Sequence, residues 1–475
     1  MPHIFKPSDP EVPCTRQLNR AIEKAVKEGG GRLIIPPGRY VTGTVFLRSN
    51  LTLELAAGAV LVASDDIAEY PELPLNAGFP VHLRKGDLMQ RRHLLVAEDA
   101  EHVTICGTGV IDGNMEAFAP GWKDRPPFTW RGPSSRFFVP TLEFLNCRNL
   151  RLRDFTVCNS PGWTCHLCRC DEVRVEGVTL LNDLYAGNSD GFDVDGCRDV
   201  WFTGCRIETG DDCIVMKSNP LTRSCERIII TNCILRSTCA AVKIGTESWH
   251  DFRDIRFSNS IVHGSNRAFQ ITCLDGATVE DIIVEGLSVD TNSTNIFNRP
   301  IHLDLAKRRK GFIKGSEGQH RLGRIRRVAF SNLNIKTDGR LLFTAGDGAR
   351  LEDISLNDVR LIYPWIEDPE TLGDADLLQG SASCPEARGA KAAIVAQNID
   401  RLQVRNLSIR WPSEPPQGGL LPKYQDGKSV RDPCREFHPM PNFAPFQGIG
   451  LREEQLHLNG VEDFLWGADP SPAEA

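Results

Sequence analysis

One short pattern recurs along most of this chain and leaves few folds open to it. Val103-Thr-Ile-Cys-Gly, Leu150-Arg-Leu-Arg-Asp, Val173-Arg-Val-Glu-Gly, Val200-Trp-Phe-Thr-Gly and Ile228-Ile-Ile-Thr-Asn share an apolar-x-apolar core followed by a small or polar turn. Ile255-Arg-Phe-Ser-Asn, Ile282-Ile-Val-Glu-Gly, Val328-Ala-Phe-Ser-Asn, Ile354-Ser-Leu-Asn-Asp and Leu402-Gln-Val-Arg-Asn continue it. The steps between anchors run from 23 to 28 residues, except for three of 46 to 48. Alternation at period two makes strands, because successive side chains point to opposite faces. A strand-turn-strand unit repeated with almost no helical pattern between copies predicts an all-β parallel solenoid, a β-helix. The long steps read as coils carrying an inserted loop, or as coils whose motif has decayed.

A solenoid must cover its first coil. Leu18, Ala21, Ile22, Ala25 and Val26 mark one helical face, opened by Thr15 and closed by three glycines from Gly29. A short N-terminal capping helix is therefore expected over about 15–28. The tail, about 411–475, is rich in Pro and Gly, lacks the repeat and reads as an irregular wrap. The expected organisation is one β-helix domain spanning 1–475.

Sixteen cysteines would be many for a disulfide scaffold, but the chain is 475 residues long and the cysteines follow the repeat. Cys147, Cys170, Cys197 and Cys225 each stand three residues before an anchor. They read as a ladder of buried free thiols. Cys165, Cys168 and Cys170 suggest zinc by spacing, but residues three apart on a strand face opposite ways, so no metal is expected. The net charge is −7 and charged residues make up 25%, which argues against a nucleic-acid surface. No apolar run approaches a membrane span. The start, MPHIFKPSDPEVPC, has no apolar core of a secretory signal. A cytoplasmic protein is expected, or a secreted or periplasmic one whose leader was removed.

The chemistry concentrates in Asn188-Ser-Asp190 and Gly210-Asp-Asp212. If each repeat is one coil, Asp190 lands beside Asp211 and Asp212, and three carboxylates that close cannot all ionise freely. A second strand set supports this placement: Gly191-Phe-Asp-Val-Asp, Cys213-Ile-Val-Met-Lys, Ala241-Val-Lys-Ile-Gly and Ala268-Phe-Gln-Ile-Thr. Stacking them puts Asp193, Lys243 and Gln270 in one outward column, with His166 joining it one coil earlier, and Lys217 in the next. Arg267 sits just before its strand. Trp163 reads either as packing or as a sugar platform. Glu247, Trp249 and His250 follow a strand end and are candidates for the cleft. Paired carboxylates on one face are suited to acid/base cleavage of a glycosidic bond.

These motifs together resemble glycoside hydrolase family 28, the polygalacturonase family. The resemblance extends from the Gly-rich start through about residue 410 and includes Gly107-Thr-Gly-Val-Ile-Asp-Gly113 and Asn159-Ser-Pro-Gly-Trp163. Asn188-Ser-Asp190 resembles the family's Asn-Thr-Asp motif, and Gly210-Asp-Asp212 its Gly-Asp-Asp variant. The resemblance implies a right-handed parallel β-helix and an inverting hydrolase with Asp211 as general acid and Asp190 and Asp212 activating water. Two departures stand out. The family's Gly-His-Gly falls at Cys239-Ala240-Ala241, and its Arg-Ile-Lys at Gln270-Ile271-Thr272. The cations that would grip a galacturonate carboxylate are replaced. Either Lys243 and Arg267 compensate, or the sugar is neutral, such as rhamnose.

The expected protein is an inverting hydrolase of pectin-derived or related glycans that needs no cofactor. His166, Trp163, Asp193, Lys217, Lys243, Glu247, Arg267 and Gln270 are its expected substrate contacts. Insertions at 66–100, 114–140 and 290–326 would wall one end of the groove and favour exo-cleavage. Two alternatives stay open: a β-helix lyase or epimerase using Lys217 or Lys243, and a non-catalytic glycan-binding β-helix.

Overall fold

The computed structural model describes residues 2–7, 13–27, 30–74, 91–118, 141–184, 186–291, 299–308, 320–337, 339–363, 392–410 and 454–467. Contacts divide the chain into two compact units, Met1–Ile234 and Leu235–Ala475. Both are stacks of parallel strands, and the fold is a right-handed parallel β-helix.

In the first unit each coil contributes three strands, as in Phe192–Asp195, Arg198–Thr203 and Arg206–Thr209. The repeat anchors stack in register: Leu150 pairs with Val173, Val173 with Val200, and Val200 with Ile228. All four are buried. Each contributes roughly 2 kcal/mol on leaving water. The fifth residue of every motif copy explains why Gly, Asn and Asp recur there. Gly107, Asp154, Gly177, Gly204, Asn232, Asn259, Gly286, Asn332, Asp358 and Asn406 all have positive φ. That conformation favours these residue types. Gly107 is the most constrained, because a Cβ there would lie 2.1 Å from the Leu55 carbonyl oxygen.

The residue just before each anchor also has positive φ, from His102 and Asn149 to Arg401. Its identity varies, so the pattern does not announce it. Several such residues pair across coils on the surface, as when Arg227 donates to both oxygens of Asp199 at 2.7 and 2.8 Å. Exposed pairs of this kind contribute about 1 kcal/mol or less.

The helix Thr15–Lys27 forms where expected and buries Leu18, Ile22 and Ala25, spaced three and four apart. Asn19 ties it to the first coil, donating to the Thr44 carbonyl at 2.8 Å and accepting from the Phe46 amide at 2.8 Å. The described cysteines are free, and all but Cys158 are buried. The ladder has a purpose in packing. The thiols of Cys147, Cys170, Cys197 and Cys225 lie 3.3–3.5 Å from carbonyls of the preceding coil, those of Ala97, Phe144, Leu167 and Val194.

In the second unit Ile282 pairs with Val328, Val328 with Ile354, and Ile354 with Leu402. The 46- and 48-residue steps there are single coils with insertions, not decayed coils. Most of those insertions, like 119–140 in the first unit, lie outside the described residues. The tail differs from expectation in one respect. Glu454–Glu462 and Leu465–Gly467 are strands in parallel register with Ala392–Arg410, so the stack continues past the irregular composition. Among the described residues no helix is long and apolar enough to cross a membrane.

Candidate active site

Strands Leu142–Leu145, Cys165–Cys168, Phe192–Asp195 and Ile214–Ser218 stack on one face of the first unit. The third residue of each strand, Phe144, Leu167, Val194 and Met216, points into the core, and the second residues form the alternate column of Glu143, His166, Asp193 and Val215. Phe192 pairs with Ile214, so Asp190 and Asp212, each two residues earlier, occupy the same rung of adjacent coils. The Gly191 amide donates to the Asp212 carbonyl at 2.9 Å and confirms that alignment.

The loops that carry the aspartates are clasped together. The Ser189 hydroxyl donates to the Ala186 carbonyl at 2.7 Å and accepts from the Gly210 amide at 3.1 Å. Gly210 admits no side chain, because a Cβ there would meet the Ala186 carbonyl oxygen at 2.3 Å. The glycine ahead of the two aspartates is thus a close-approach residue. The Asp211 carboxylate is pinned by two backbone donors, the Asn188 amide at 3.1 Å and the Asp212 amide at 3.0 Å. Asp211 is part-exposed, while Asp190 and Asp212 are buried.

Lys217 reaches into the cluster. Its Nζ lies 2.9 Å from Asp193 Oδ1, 3.7 Å from Asp190 Oδ2 and 3.8 Å from the centroid of the Trp163 ring. Burial, reinforced by the Asp211 and Asp193 charges, pushes the Asp190 carboxyl well above the usual range against the pull of Lys217. Burial also pushes Asp193 up to about 6, with Lys217 and His166 opposing. The proton that these groups hold belongs to the cluster and not to one residue.

Three of the residues expected as substrate contacts are buried beside the aspartates. His166 and Asp193 are 0% exposed and Trp163 2%. Trp163 is a floor for Lys217 and sits edge-on to His166, with centroids 5.5 Å apart, so the packing reading of this residue is the one the geometry favours. Sequence pattern alone does not single out Glu143, Arg91 or His93, whereas Asp195 stands in the expected outward column beside Lys217. Glu143 Oε1 lies 3.4 Å from His166 Nδ1, and its Oε2 lies 3.0 Å from His93 Nε2 and accepts from Arg91 Nε at 2.9 Å. Its signal was a lone acid between Leu142 and Phe144, in a strand otherwise apolar. His166, Cys168 and Asp195 bring ligand-type atoms within 4.8 Å of one another. Asp195 accepts from Asn219 Nδ2 at 2.6 Å and Thr222 Oγ1 at 2.7 Å, and so clasps the turn after its neighbouring strand.

The remaining expected contacts belong to the second unit. Lys243 pairs with Gln270, and Gln270 with His302, along one column. Gln270 accepts from Arg267 Nη1 at 2.6 Å and donates to Thr272 Oγ1 at 2.7 Å. Arg267 is 0% exposed. Burial, then the charges of Arg299, Arg267, Lys243 and Arg340, holds His302 well below its ordinary range. Glu247 is buried, and Trp249 and His250 are part-exposed.

A profile of the glycosyl hydrolases family 28 matches residues 79–363. This chain belongs to that family. It is 30% identical over 288 residues to a probable polygalacturonase of Vitis vinifera, covering 57% of this chain and 55% of that protein. The chain therefore spans about half the length of that relative. A hyperthermoactive exopolygalacturonase from Thermotoga maritima shares the fold with a TM-score of 0.62 at 22% identity, over 84% of this chain and 89% of that one. A family 28 exopolygalacturonase of Yersinia enterocolitica does so with a TM-score of 0.67 at 15% identity, over 100% of this chain and 79% of that one.

Proposed function

We propose that this family 28 member is an inverting, exo-acting hydrolase of pectin-derived oligosaccharides. The observation that carries the reading is the shared rung of Asp190 and Asp212 beside the pinned carboxylate of Asp211. Asp211, the part-exposed member, delivers a proton to the leaving oxygen. Asp190 and Asp212 draw the proton from water on the opposite face of the sugar. Asp190's raised proton affinity makes it the stronger base once ionised. The separation that inversion requires, about 6.5–9.5 Å, suits residues on neighbouring coils.

Exo action is supported by the coils ahead of the site. Along the column of Glu143, His166 and Asp193 the face is filled, with Glu143 and His93 0% exposed and Arg91 1%. Among the described residues this column presents no exposed side chain for a continuing polymer to contact. The resemblance puts the family's carboxylate-gripping cations at Gln270 and Thr272, and their replacement by uncharged side chains supports a neutral terminal sugar over galacturonate.

The test is a panel of oligogalacturonides and rhamnose-terminated pectic oligosaccharides, with products followed by proton NMR. Release of single terminal sugars with inverted anomeric configuration supports the reading. An unsaturated uronide product makes the protein a lyase, and no product with any member rejects the activity.

A further inference from the structure

The aspartates are backed by a file of buried charges that the hydrolytic reading leaves unused. It runs from Arg91 to Glu143, from Glu143 to His166, and from His166 to two carboxylates on the next coil. His166 Nδ1 lies 3.4 Å from Glu143 Oε1, and its Nε2 lies 4.0 Å from Asp195 Oδ2. Asp193 is the register partner of His166 and holds Lys217 at 2.9 Å, and Lys217 reaches Asp190 at 3.7 Å. Arg91 and Lys217 stand at either end of the file as its cations, with carboxylates between them on both sides of His166.

We propose that His166 is a fixed buried cation and a positioning residue: it keeps Asp193 ionised, Asp193 holds Lys217, and Lys217 sets how readily Asp190 takes a proton. The inference rests on the hydrolase reading for its kinetic consequence, but not for its charge state.

A neutral imidazole would leave the Glu143 and Asp195 carboxylates less compensated at a point with no solvent. Burial opposes the charge on His166, and the Asp195 and Glu143 carboxylates outweigh it, pushing the imidazole up to about 9. The other titratable groups facing it are consistent with this. Glu143 is held well below its usual range, burial being outweighed by His93, His166 and Arg91. The Cys165 and Cys168 thiols on its own strand are pushed up by burial and stay neutral. His166 touches no solvent, and so acts only through its neighbours.

Two measurements on the full chain test this. The first is 15N NMR of the histidine rings. His166, assigned by its loss in His166→Gln, is expected to keep both ring nitrogens protonated at pH 8, and its signals should shift in Asp193→Asn. A ring with one bare nitrogen at pH 7 would overturn the proposal. The second is a double-mutant cycle. His166→Gln is expected to lower kcat about a hundredfold, the scale of a small misplacement near reacting groups, with KM little changed. Adding it to Asp193→Asn should cost nothing further, because both act through one path. Losses that multiply, or a fall in melting temperature with kcat intact, would overturn it. Glu143→Gln, which keeps the shape, should lower kcat in the same direction if His166→Gln fails to fold. If the wild type hydrolyses nothing, the proposed activity fails, and the ring titration still decides the charge state of His166.

Discussion

Glu143→Gln probes the buried file most sharply, and its cost can be worked from the geometry. The substitution keeps volume and removes one negative charge at a position with no solvent exposure. It leaves Arg91, 1% exposed, with the exposed Glu98 as its remaining described carboxylate, and His166 with Asp195. Removing one partner of a buried ion pair costs about 3–5 kcal/mol, and that is the expected loss at pH 6. The pH dependence is the discriminating part. The folded-state titration of His166 is raised from 6.5 to about 9, so its stabilisation is fully present below pH 6.5 and is lost as pH rises through 9. A rise of that size corresponds to roughly 3 kcal/mol, shared between Asp195 and Glu143. The gap between wild type and Glu143→Gln should therefore narrow by on the order of 1 kcal/mol between pH 6 and pH 9. Urea unfolding followed by far-ultraviolet circular dichroism at the two pH values measures it. A loss below about 1 kcal/mol at pH 6, or a gap that widens with pH, would refute the reasoning.

Other consequences can be checked separately. Because Asp190 must be ionised to accept a proton from water and is pushed well above its usual range, the acid limb of kcat/KM should lie clearly above pH 4, and a limb at 4 would contradict the cluster electrostatics. Iodoacetamide on the native chain at pH 8, mapped by mass spectrometry, should label no described cysteine other than Cys158, since the rest are buried. Gly107→Ala should cost at least about 1 kcal/mol in thermal unfolding, because it combines positive φ with a contact at the Leu55 carbonyl. EDTA should leave turnover unchanged, and a metal-dependent loss would favour a lyase.

The coil register was legible because it is written in side-chain alternation. Leu150, Val173, Val200 and Ile228 are apolar wherever the core demands it, and a single slip would turn every one outward. The rung shared by His166 and Asp193 followed from the same count. What alternation does not encode is depth. An outward position in a solenoid reads as solvent, yet His166, Asp193 and Trp163 are covered, so they became supports of the cluster and not its surface. Arg91 and His93 belong to no repeat copy and reach Glu143 across about fifty residues of sequence, a meeting that no local pattern announces. The left-handed residue before each anchor was hidden for a different reason, since Asn, Asp, Glu, Arg and His all occupy it.

The central claim is that Asp190, Asp211 and Asp212 carry out the bond cleavage. Its most direct measurement is single-turnover hydrolysis by Asp190→Asn, Asp211→Asn and Asp212→Asn on an oligosaccharide the wild type cleaves, with binding followed by calorimetry. Each variant should bind the sugar, retain the wild-type circular dichroism spectrum, and turn over at least about a hundredfold more slowly, the lower bound for a positioned acid or base. Any one of the three cleaving at close to the wild-type rate would contradict the account.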